Sequence, residues 1–69
     1  MTKYAIVIEK AERNYSAYAP DVPGCIATGA TVEETRRKLM EALTSHLELM
    51  REAGEAIPEP STVTDYVQV

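Results

Sequence analysis

The strongest local constraint in this chain is the stretch Tyr18 to Cys25, YAPDVPGC, where two prolines and a glycine fix the backbone between two short apolar runs. Pro20 and Pro23 lock φ near about −65° and push the preceding Ala19 and Val22 toward extended conformations. Gly24 offers the positive φ that a side chain disfavours. The chain must therefore leave one strand, bend, and enter another. Asp21 lies between the prolines and reads as a turn residue whose carboxylate bonds nearby backbone N–H groups. No partner acid or metal ligand stands near it in sequence to make it a catalytic acid.

The length of 69 residues fits one small domain spanning residues 1–69. Such a chain buries only about 60% of its unfolded surface on folding. With Cys25 the only cysteine there can be no internal disulfide, and no Cys/His spacing suggests a structural metal. Oligomerisation is the remaining means of burial, so a homodimer or larger assembly is expected. The balance of 11 acidic against 7 basic residues gives a net charge of −4. That disfavours nucleic acid, whose binding draws on clustered Lys and Arg, and suits a basic partner. The opening MTKYAIVIEK has no apolar run long enough for a signal peptide or membrane span, and a cytoplasmic location is expected.

In chain order, Lys3 to Glu9 alternates Tyr4, Ile6 and Ile8 with Ala5 and Val7, predicting a strand covered on both faces, by a helix on one side and a second subunit on the other. Lys10 to Asn14 reads as a solvated hairpin loop, Tyr15 to Ala19 as an antiparallel second strand, and Cys25 to Thr28 as a third. Cys25 has no basic neighbour to activate it and reads as a small buried hydrophobe.

The long helix is predicted over Thr31 to Ala53. In TVEE, Thr31 can cap the first turn while Glu34 reaches back, and Gly54 can close the far end. At about 100° per residue, Val32, Leu39, Leu43, His46 and Met50 fall within about 60°, a stripe directed at the sheet. Met40 and Leu47 widen it on one flank, Ala42 and Leu49 on the other. Glu33 with Arg37 and Glu34 with Lys38 are spaced as i,i+4 ion pairs. His46 lacks a nucleophile and an orienting acid, and reads as a packing residue rather than a general base.

After Gly54, Ile57 is expected to drop onto the core while Pro58 and Pro60 stiffen a connector. Thr62 to Val69 alternates valines and reads as a last strand. A right-handed crossover through the helix would lay it parallel to the first strand. The predicted fold is α+β: one β-β-β-α-β unit with a four-stranded mixed sheet, order 3-2-1-4, and one helix on one face.

The series IVIEK, NYSAYAPDVPGCIATGATVEETRRKLMEAL and REAGEAIPEPS resembles the HicB family of antitoxins, from about residue 3 to residue 61. The most specific piece is YxPDxPGCxxxGxTxEE followed at helical distance by GExIPEPS. The resemblance implies a reduced, partial ribonuclease H-like fold without catalysis, in an antitoxin that binds and blocks a small HicA-type mRNA-cleaving ribonuclease. Family members that repress their own operon are similar in carrying a C-terminal DNA-binding module. This sequence stops at Val69, so no such module and no direct DNA binding are expected of it.

No enzyme activity, cofactor or metal is expected, since Glu9 and Asp21 alone do not make the carboxylate cluster of a Mg²⁺ nuclease. Candidate partner contacts are Tyr18, Asp21, Val22 and Pro23 on the turn rim, with Met40 and Leu47 on the helix flank. The alternative function is an orphan homo-oligomeric module that binds a protein or ligand without a toxin. A vestigial nuclease is the third and weakest reading.

Overall fold

A computed structural model describes residues 2–69, with the order β1 (Val7–Lys10), β2 (Tyr15–Tyr18), β3 (Ile26–Gly29) and α1 (Val32–Glu52). The sheet is a three-stranded antiparallel meander, β1-β2-β3. Tyr18 stands opposite Val7 on one side and Ile26 on the other, while Ala17 pairs with Ile8 and Ala27. The alternation sends Ile8, Ala17 and Ala27 toward α1 and Val7, Tyr18 and Ile26 to the uncovered face. Ala17, Ala19, Val22, Cys25, Leu39 and Leu43 form the buried core, with Tyr4, Ile6, Ile8 and Leu47 packed against it.

The helix ends as its local chemistry directs. Glu34 N–H donates to Thr31 Oγ1 at 3.0 Å. The Glu34 carboxylate accepts from Ala30 N–H at 3.3 Å, one residue before the cap, so the expected reciprocal box is displaced by a residue. At the far end Gly54 takes φ +75°, Gly54 N–H donates to Arg51 O and Glu55 N–H to Met50 O, the paired bonds of a Schellman close. Lys38 pairs with Glu34 as expected, whereas Arg37 turns to Glu41 rather than Glu33. The stripe facing the sheet is centred on Thr35, Leu39 and Leu43. Val32, in the first turn, is 45% exposed.

The expected fourth strand does not form, and the four-stranded mixed order 3-2-1-4 is corrected to three antiparallel strands. Residues after Pro58 are held by two clamps. Tyr4 OH donates to Pro58 O at 2.6 Å. Asp21 then accepts Ser61 N–H and Thr62 N–H at Oδ2, at 3.1 and 3.0 Å, and the two hydroxyls at Oδ1, at 3.0 and 2.8 Å. Past Thr62 the chain belongs to no ladder, and Val63, Tyr66, Val67 and Val69 are almost wholly exposed. With no strand beside it, the first strand is also shorter than Lys3 to Glu9. Its ladder begins at Val7, because the register places Pro20, which has no N–H, opposite Ala5.

Candidate functional site

The proline-punctuated turn folds inward as well as around. Val22 N–H donates to Ala19 O at 3.1 Å, Val22 is 1% exposed, and Gly24 takes φ +86°. Of the four rim residues, Val22 thus belongs to the core and offers no surface, while Pro23 is exposed and Tyr18 is 42% exposed. Asp21 bonds not to its own turn but to residues 40 and 41 positions further on. The Thr62 and Ser61 donors hold its carboxyl below the ordinary value of 3.8, with the Thr62 backbone N–H the largest cause.

Among the described residues, apolar side chains gather into two open surfaces beside the sheet. One is the cross-strand row Val7, Tyr18 and Ile26 on the uncovered sheet face, where Ile26 is 71% exposed. Sequence reasoning did not single out Ile26, although its place one residue after buried Cys25 in an alternating strand carries that signal. The second surface is a groove of about 440 Å³ between the segment leading into β1 and α1. Thr2, Tyr4 and Ile6 form one wall and Arg36, Met40 and Leu47 the other, above Leu43. The groove exists because α1 lies mainly over β3 and β2, leaving the β1 side thinly covered. The structure thus brings Met40 and Leu47 together in one surface and leaves Tyr18 on the opposite face of the sheet.

The remaining candidates serve packing. Cys25 is 5% exposed and its burial raises the thiol pKa, which suppresses the reactive thiolate. His46 is half-buried on α1. Among the described residues no three His, Cys, Asp or Glu side chains group as metal ligands, and no helix is long and apolar enough to cross a membrane.

The fold and these surfaces define a small β-β-β-α module with open apolar ground suited to contact with another chain. The chain belongs to the HicB-like antitoxins of bacterial toxin–antitoxin systems, whose family model matches residues 4–69. It is similar to a chain in a solved HicA3 and HicB3 toxin–antitoxin complex, with TM-score 0.72 and 30% identity, over 87% of this chain and 70% of that one. It is 38% identical over 64 residues to a 14.9 kDa protein from the rep-hol intergenic region of Haemophilus phage HP1, covering 93% of this chain and 48% of the relative. A UPF0150 protein of Helicobacter pylori is 42% identical over 41 residues, 59% of this chain and 57% of the relative. The chain spans about half the length of the curated relatives it matches.

Proposed function

We propose that this chain acts by binding, neutralising a small basic ribonuclease toxin of the HicA type by occupying the surface the toxin needs for RNA. The observation that carries the reading is the 30% identity and 0.72 TM-score to a chain of a toxin–antitoxin complex. Charge and surface chemistry agree with it. A net charge of −4 speeds encounter with a cationic partner, and the Val7, Tyr18 and Ile26 row supplies apolar area with an amphipathic aromatic at its centre. Pro23 borders the same end of the sheet as the residue after Val22 in the β2–β3 turn.

The test is to purify the chain with a basic ribonuclease encoded beside it and to follow RNA cleavage. The chain should suppress cleavage and co-purify, association should slow as salt rises, and Ile26→Asp should release the toxin while the helix content stays unchanged. Undiminished cleavage at saturating chain overturns the reading. Suppression that survives both Ile26→Asp and Tyr18→Asp moves the contact away from this sheet face.

A further inference from the structure

The segment after Thr62 is built like a strand and has no sheet. In extended backbone Val63, Asp65, Val67 and Val69 share one side and Thr62, Thr64, Tyr66 and Gln68 the other, a β-branched pattern. Yet Val63 and Val67 are each 88% exposed. The Asp21 and Tyr4 clamps hold the base of this arm firmly, so its root has a defined position. The chain carries a matching vacancy in the groove between β1 and α1, beside a strand edge that pairs with nothing among the described residues.

The surface area says what fills it. A compact monomer of 7.6 kDa exposes about 4,300 Å². This chain exposes 5624 Å², an excess of about 1,300 Å² over that compact expectation. Its radius of gyration is 13.1 Å, against about 11 Å for a compact chain of this length. Two copies that each seated an arm on the other would remove that excess twice, about 2,600 Å² in total, which is the size of an obligate homodimer interface, about 2,000–5,000 Å². Charge fits as well: among the described residues Arg36 is the one charged side chain lining the groove, and Asp65 is the one acidic side chain of the arm, on the valine side. Extended at about 3.3 Å per residue, residues 63–69 reach about 23 Å, enough to run the length of the groove wall.

We propose that residues 63–69 of one copy dock in the groove between β1 and α1 of a second copy, Val63, Val67 and Val69 against Ile6, Met40 and Leu47, with the exchange reciprocal in a twofold dimer. A reciprocal exchange is closed, since each copy gives one arm and fills one groove. This assembly needs no toxin, so its failure leaves the toxin-binding reading untouched.

Light scattering on the whole 69-residue chain should give the mass of a dimer, and Val63→Asp with Val67→Asp should halve it while the helical circular-dichroism signal is retained. Oxidation of a Thr2→Cys chain mixed with a Val67→Cys chain, both in a Cys25→Ala background, should yield a mixed disulfide, whereas Thr28→Cys in place of Thr2→Cys should yield at least tenfold less. A monomer at every concentration overturns the proposal, as does a dimer that survives the double substitution. It is equally overturned if a single chain carrying both Thr2→Cys and Val67→Cys closes on itself at high dilution, since the arm then fills its own groove.

Discussion

The two ends of the connector behave in opposite ways although they are built from the same kinds of residue. Before it, Val22, Leu39 and Leu43 meet in a buried core under a capped helix; after it, Val63, Val67 and Val69 stand in solvent. β-branched residues are common to the run Ile6, Val7 and Ile8 and to the arm, so intrinsic preference does not separate them. What separates them is a partner at the right distance. β1 finds β2 through a short hairpin closed by Ala11 N–H to Asn14 O at 2.8 Å, whereas the arm leaves the molecule where Asp21 grips its base. Strand propensity describes how a segment sits once paired, and says little about whether pairing occurs.

The comparison breaks most visibly where the core is emptied. Leu39 is fully buried, and Leu39→Ala should cost about 2–5 kcal/mol, read as a large fall in the denaturant midpoint. The same truncation at exposed Val63, measured below any association, should change stability by less than about 0.5 kcal/mol. Equal losses at the two positions would mean that the arm is packed within its own chain.

Next come two glycines that differ in kind. A Cβ on Gly29 would lie 2.7 Å from Thr35 Oγ1 and 3.0 Å from Thr35 N, so Gly29→Ala must push β3 from α1. That overpacking should cost about 1–3 kcal/mol. Gly24 has open space around it but φ +86°, and Gly24→Val should cost about 1–3 kcal/mol through backbone strain alone. Thermal melting of both separates them when Gly24→Asn is added, since Asn tolerates positive φ and recovers part of the loss.

The clamp on the arm is sensitive to acid. Because the carboxyl of Asp21 is held below 3.8 in the folded chain, its contribution is complete above that value and is lost as pH falls through the lowered one. Asp21→Asn presents an amide N–H where Ser61 and Thr62 already donate, and should abolish this acid-dependent step in a pH series of denaturant melts. An unchanged acid limb would show that the four bonds contribute nothing in solution. The smallest effect belongs to the exposed pair Arg37 and Glu41, 3.4 Å apart on α1. Glu41→Ala should cost no more than about 0.5 kcal/mol by thermal melting, and less in high salt.

What the sequence makes legible follows the range of the interaction. The caps of α1 are written within four residues of each end, and Thr31 and Gly54 stand where their chemistry predicts. The meander is equally local, fixed by a short loop and a proline turn. Gly29, just past the predicted third strand Cys25 to Thr28, carries no local mark of its role, because the approach of Thr35 that demands it is a contact between elements. Asp21 reads as serving its own turn, because its true partners lie 40 residues away and are ordinary Ser and Thr. Val22 reads as rim because its neighbours are prolines, yet a turn that caps a sheet also closes the core beneath it. The six candidate contacts are thus divided between two faces and an interior, which spacing along the chain could not disclose.

The grip of Asp21 on Ser61 and Thr62 also assigns a shared fate to segments that are remote in sequence. In hydrogen exchange, the amides of Ser61 and Thr62 can open only when the β2–β3 turn releases them, so their protection should rise and fall with that of the turn rather than with the arm they precede. Below any association, residues 63–69 would exchange freely one step later, setting a sharp boundary within two peptide bonds. The turn and the end of the connector thus behave as one cooperative opening unit, assembled from distant pieces of chain by a single carboxylate.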